Sequence, residues 1–275
     1  MSAGSAGDEN FSSEGLSRAQ GLIGWKVEVF DRVGSTNEEL MRRAEQGAKE
    51  GLVIIAQVQD KGRGRLGRTW ESPPGVNLLL SVLLRPGVSP EKAPMITLFA
   101  AVAVARAIEK ETGLCPRIKW PNDLELSGKK VCGILTEMSV ESGGKETPAR
   151  VEYVVIGMGL NVNMRTEDLP PQIAEQATSI FAELGRTVQR ARLARTLFDD
   201  LENIYEDFLH GKKDAIFKAW HERAQMRGED VRVLLDERVL EGRVKDLDED
   251  GALLLETKDG LRRILAGEVQ WVRRR

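Results

Sequence analysis

Two apolar runs, "LVIIAQVQ" at 52–59 and "VNLLLSVLL" at 76–84, narrow the choice of fold more than any other feature of the chain. Both are continuous rather than alternating, and far shorter than the roughly 20 residues of a membrane-spanning helix, so both read as buried strands. "WKVEVF" (25–30) alternates as a half-buried strand does, "KVCGILTEM" (130–138) is a further strand, and "VEYVVIGMGLNVN" (151–163) is a strand running into a glycine turn. Helical sequence lies between them. In "GSTNEELMRRAEQG", Ser35 and Glu38 make a capping box and Gly47 is a C-terminal stop. Residues 92–112 read as a long apolar helix closed by Gly113, and 172–224 as further helices. From about 226 short strands take over, with "EDG" and "KDG" as hairpin turns. The pattern predicts a mixed α/β domain followed, from about residue 226, by a small β-barrel. Residues 1–22, which open on "MSAGSAGDENFSSEG", read as a disordered leader.

Composition excludes several function classes. The 275 residues carry a net charge of −3, with a pI of about 5.7. The surface as a whole is therefore not built for nucleic acid or anionic membranes, and any anion site must be a local concentration of positive charge. There is no signal-peptide core, which points to the cytoplasm. Cys115 and Cys132 lie far apart in apolar surroundings and read as buried free thiols of a reducing compartment. With two histidines, His210 and His221, and no Cys/His cluster, no structural zinc site and no protein metal cage is expected.

Four stretches carry polar chemistry at strand ends. "KGRGRLGRTW" (61–70) follows an apolar strand; its glycines free the backbone for close approach, and Arg63, Arg65 and Arg68 can fork onto an anion while Trp70 offers a flat face. It matches G-x-G-x-x-G letter for letter, but no helix follows, and it is no Walker loop. "KWPND" (119–123), Lys130 in "SGKKVCGI", and Gly157 and Gly159 in "GMGLN" are the others. Each alone is also compatible with a solvated turn or a tight bend. Together they place one glycine-rich polar cluster at the ends of four strands, which is the form of a binding crevice.

The ordered set "GSTN", "QDKGRGRLGRTW", "KWPNDL", "GKKVCGIL" and "GMGLNVN" resembles the biotin protein ligases, from about residue 23 to the C-terminus. The resemblance implies an α+β chain: a catalytic domain over 23–225 like that of class II aminoacyl-tRNA synthetases, with a mixed central β-sheet and flanking helices, and an SH3-like C-terminal β-barrel over 226–275. It implies two steps: biotin and ATP form biotinyl-5′-adenylate, and the biotinyl group then passes to a lysine of a biotin carboxyl carrier protein, usually of acetyl-CoA carboxylase. Ser35, Thr36, Asn37 and Gln59 match the biotin site. Arg63, Gly64 and Arg65 match the loop beside the biotin carboxylate and the α-phosphate, and Lys130 the lysine near the reacting carboxylate. Arg68, Trp70, Asn122, Gly157, Gly159 and Asn161 match the nucleotide side, and Asp123 is a candidate to orient or deprotonate the incoming lysine. Mg²⁺ is expected mainly on the ATP phosphates. The 22 residues ahead of the match are too few and too polar for the DNA-binding module of the repressor subclass, so no repressor activity and no DNA or membrane partner is expected. A homodimer through the central sheet is a further expectation. The rival readings are a lipoate ligase, a nucleic-acid binder using the arginine loop, and a non-catalytic biotin sink.

Overall fold

Seven strands build the main sheet: β1 (Val27–Val33), β2 (Val53–Gln59), β3 (Leu78–Leu84), β4 (Arg117–Lys119), β5 (Asp123–Leu126), β6 (Lys129–Glu141) and β7 (Arg150–Leu160). Their order across the sheet is β1-β2-β3-β7-β6-β5-β4. Only β1 and β2 run parallel; the other neighbours are antiparallel, so the sheet is mixed. This computed structural model describes residues 11–144, 148–169, 173–235 and 238–272.

The continuous apolar runs are continuous because both faces of the sheet are covered. In β2, Val53 and Ile55 join the main core, which includes the buried faces of α3 (Ala93–Thr112) and α5 (Arg190–Leu209). Ile54, between them, packs on the opposite face with Leu40 and Ala44 of α2 (Thr36–Glu45). α3 is apolar nearly all round because it is enclosed, and it ends where Gly113 takes the left-handed conformation (φ 77°). The helical stretch that follows the sheet comprises α4 (Ile180–Leu184), α5 and α6 (Lys213–Ala224).

A second, antiparallel sheet closes the chain: β8 (Asp230–Leu235), β9 (Arg238–Leu247), β10 (Leu253–Thr257), β11 (Gly260–Ile264) and β12 (Glu268–Trp271), in the order β11-β10-β9-β8-β12. It is not a separate bead. Its inward residues Val231, Val233, Leu253 and Val269 belong to the same buried cluster as α3 and α5. Trp120 Nε1 donates to Gly251 O at 3.3 Å, and the Arg117 guanidinium lies 4.0 Å from the Trp271 ring centroid. Among the described residues no helix is long and apolar enough to cross a membrane.

Three sequence expectations change. Residues 1–10 of the expected leader lie outside the described residues, but 11–22 are packed. Leu16, in α1 (Ser13–Leu16), is fully buried, Arg18 pairs with Glu202 at 2.7 Å, and the Ser13 and Ser17 hydroxyls each accept from β1, from Val29 N and Val27 N at 2.9 Å. β1 is an edge strand, and its outward N–H groups need acceptors; small polar residues supply them, although their composition reads as disorder. The Ser35–Glu38 capping box does not form: Ser35 is the N-cap but makes no side-chain capping bond. Cys132 is buried, which pushes its thiol pKa far up, but Cys115 is exposed, in the connection between α3 and β4.

Candidate active site

The site lies on the face of the sheet that α2 covers only in part. Cross-strand pairing sets its floor: Ser81 of β3 opposes Gly157 of β7, which opposes Leu135 of β6, while Gly159 opposes Gly133 in the next row. Three glycines on one face leave a slot where side chains would otherwise stand. "GMGLN" is thus not a turn after a strand. Gly157 and Gly159 lie inside β7, and their missing Cβ atoms are what the site uses. A Cβ on Gly157 would collide with the Asn37 amide, and one on Gly159 would stand 2.5 Å from Trp70 Cε2.

Above the floor, residues 62–70 fold into a small hairpin. Trp70 N donates to Gly62 O at 2.9 Å and Gly64 N to Arg68 O at 2.7 Å, around a turn in which Leu66 and Gly67 both have positive φ. Trp70 lies over the glycine slot, 5.5 Å from Lys130 Nζ, and its buried Nε1 has no acceptor among the described residues. An indole N–H in that position is free to donate to a bound group.

The three loop arginines are each held. Arg63 pairs with Glu137 at 3.0 Å and sits 3.6 Å from Glu38. Arg65 donates to Asn122 Oδ1 at 2.9 Å and to Gly267 O at 3.3 Å. Burial pulls its guanidinium below the usual pKa, against the opposing pull of Asp123 and Glu268, and it stays charged. Arg68 pairs with Glu268 of β12. Lys130 Nζ stands 2.7 Å from Asp123 Oδ1, a charge contact outside hydrogen-bond geometry.

At the N-terminus of α2, the Gln59 side chain supplies an acceptor for the first N–H of the helix, not for the Glu38 N–H that a Ser35 capping box would take. Its Oε1 accepts from Thr36 N at 2.7 Å and from Thr36 Oγ1 at 3.0 Å. Ser35, Thr36, Asn37, Gln59, Arg63, Gly64, Arg65, Trp70, Asn122, Lys130, Gly157 and Gly159 all line one narrow pocket of about 50 Å³. Arg68 and Asp123 line an adjoining cavity of about 120 Å³, which Trp70, Asn122 and Lys130 also border. A wider cleft of about 540 Å³ opens from the other side of Gly64 and Arg65.

Residues 29–161 match the Biotin/lipoate A/B protein ligase family, and 228–271 the Biotin protein ligase C terminal domain. A Bifunctional ligase/repressor BirA of Bacillus spizizenii is 34% identical over 262 residues, 93% of this chain and 79% of that protein. The chain belongs to the biotin protein ligase family. A Biotin–[acetyl-CoA-carboxylase] ligase of Mycobacterium tuberculosis is 32% identical over 91% of both chains. Biotin protein ligase from Aquifex aeolicus in complex with biotin and ATP superposes with a TM-score of 0.72 at 29% identity, covering 90% of this chain and 99% of that one. The mixed sheet, flanking helices and small C-terminal β domain are those of a biotin ligase.

One expected site residue of this ligase is elsewhere. Asn161 lines neither cavity: it is buried, its Nδ2 donates to Thr178 O at 3.0 Å and its Oδ1 faces Asn77 Nδ2 at 3.4 Å. It follows the last residue of β7 and ties that strand end to Thr178 and Asn77. Trp70 borders both cavities. Sequence reasoning missed Gly133, Ser81, Glu137 and Glu268. The period-two series Gly133, Leu135, Glu137 in "GILTE" could have flagged the first and third. Nothing local marks Glu268, whose partner is 200 residues away.

Proposed function

We propose that the chain activates biotin with ATP and transfers the biotinyl group to a lysine of a biotin carboxyl carrier protein. The observation that carries this reading is a single pocket joining a polar floor (Ser35, Thr36, Asn37, Gln59) to a cationic rim (Arg63, Arg65, Lys130). The floor suits the hydrogen-bonding ureido ring of biotin. A lipoyl head has no such groups and would leave the floor unpaired, a strong basis for rejection.

In the first step a carboxylate oxygen of biotin attacks the α-phosphorus of ATP. The acyl–phosphate bond forms, the bond to the β-phosphate bridging oxygen breaks, and pyrophosphate leaves. Two anions must meet, and the fixed guanidinium groups and Lys130 offset their repulsion in a partly dry site. Arg68 and Asn122 border the cavity that would take the nucleotide phosphates. Mg²⁺ would enter on those phosphates and neutralise their charge. Among the described residues no group of three or more His, Cys, Asp or Glu side chains gathers to hold a metal. In the second step the acceptor amine attacks the acyl carbon, the acyl–phosphate bond breaks and AMP leaves. The amine's proton passes to a base, and Asp123, beside Lys130, is our candidate for that role.

The test is a mass measurement of a purified carrier domain incubated with the protein, biotin and MgATP. A gain of one biotinyl group that needs both ATP and the acceptor lysine supports the reading; a gain with lipoate alone overturns it. In the same assay Arg65→Ala or Lys130→Ala lowers adenylate formation by roughly 10²–10³-fold, the cost of removing one charge-stabilising group. Adenylate formation at the parent rate in either variant refutes the role given to that residue.

A further inference from the structure

A chain of direct polar contacts runs from the pocket floor to the loop that covers it. Thr36 Oγ1 donates to Gln59 Oε1 at 3.0 Å. Ser81 Oγ lies 2.7 Å from Thr36 Oγ1 and 2.6 Å from Asn37 Oδ1. Asn37 Nδ2 donates to Glu137 Oε2 at 2.8 Å, and Glu137 Oε1 holds Arg63 Nη2 at 3.0 Å. Three members on the floor side are buried, Ser81 at 0% exposed and Thr36 and Asn37 at 3%, and Gln59 is half-buried. The hydroxyl of Ser81 has one proton and two acceptors within reach, because the Thr36 proton is already committed to Gln59. A ligand that bonds to Thr36 or Gln59 fixes which acceptor Ser81 serves. The choice reaches Asn37, then Glu137, then the arginine.

We propose that Glu137 is the positioning residue through which an occupied floor closes the arginine loop. This rests on the biotin reading of the same pocket. Glu38 also faces Arg63, but at 3.6 Å and with half of its side chain exposed, it adds little. Glu137 is closer, has a side chain only 21% exposed, and has its second oxygen in the floor network. It lies outside the pocket and acts only through Arg63 and Asn37. Gly157 is part of the same device, since any side chain there would displace the Asn37 amide.

The experiment uses the full chain and reads loop closure apart from chemistry. Trypsin cleaves after the loop arginines, and biotin binding is followed in parallel by calorimetry. In the parent protein, saturating biotin alone should slow cleavage within 61–70 about tenfold, the factor expected of one charge-assisted hydrogen bond. Glu137→Gln keeps an oxygen for Asn37 but has no charge for Arg63. It should still bind biotin and lose that protection to within about twofold, and it should release preformed adenylate about tenfold faster with the KM for ATP unchanged. Arg63→Ala cuts the other end of the link at a side chain that is 42% exposed, so its fold should persist. It should lose protection at Arg65 and Arg68 to the same degree, and the double variant should be no worse than either single one. Undiminished protection by biotin in Glu137→Gln, or in Arg63→Ala if the first variant does not fold, overturns the proposal. A parent protein that binds no biotin refutes the functional reading itself.

Discussion

A single added carbon at Gly159 would stand 2.5 Å from Trp70 Cε2 and 2.8 Å from its Nε1, so the indole would have to shift out of the slot. Overpacking of this kind costs about 1–3 kcal/mol, or roughly 10- to 100-fold in an equilibrium. Gly159→Ala is therefore expected to weaken biotin binding by that factor while the thermal midpoint moves by only a few degrees. Titration calorimetry and a melting curve on the same sample check both halves. Binding at parent affinity would show that the slot is not what admits the ligand. At this scale the sequence was informative where chemistry was dense. The arginines, Lys130 and Gln59 stood out because cationic or polar groups sit at the ends of apolar runs. Ser81 did not, being one hydroxyl inside a wholly buried strand, and neither did Glu137, one carboxylate among 43 acidic residues.

Among the elements, the turn from β9 to β10 is held by one carboxylate. Asp248 Oδ1 accepts from Ala252 N at 2.9 Å and Asp250 N at 3.0 Å, and its Oδ2 meets Arg263 of β11. Burial alone would push its pKa up, but the bonds from Arg263 and the two backbone N–H groups outweigh it, and the carboxyl lies below its ordinary value. A depressed folded-state pKa gives stability that is present above the unfolded value of about 3.9 and is lost as pH falls through the folded one. Asp248→Asn should thus cost about 1–2 kcal/mol at pH 7, with the gap to the parent closing below about pH 4. Urea unfolding at both pH values checks this; a gap that stays constant would refute the charge argument. Elements were legible where the signal was local, as with Gly113 closing α3 and the hairpin turns of the last sheet. The capping of α2 was not, because Gln59, 23 residues away from Thr36, supplies the acceptor.

For the whole molecule, the strand pattern changes after α6, where β8 to β12 follow, but the packing does not. Gly251 lies against Leu98, Trp120 bonds to the C-terminal sheet, and Gly267 and Glu268 hold two loop arginines. One buried cluster spans both parts. The chain should therefore melt in a single calorimetric transition with matching calorimetric and van't Hoff enthalpies, despite a length at which two-state behaviour is no longer the rule. Two resolved transitions would refute the shared core. None of these cross-contacts could be read from the sequence, since each joins positions more than 100 apart that carry no mutual pattern.

Of the chain's two cysteines, Cys132 is sealed in the core and Cys115 faces water. Thiol chemistry on the native protein accordingly reaches one address. That address is two residues from Arg117, whose guanidinium stacks on Trp271 of the last strand. A dye attached there would report, with no engineered mutation, whether the two sheets stay together as the enzyme turns over.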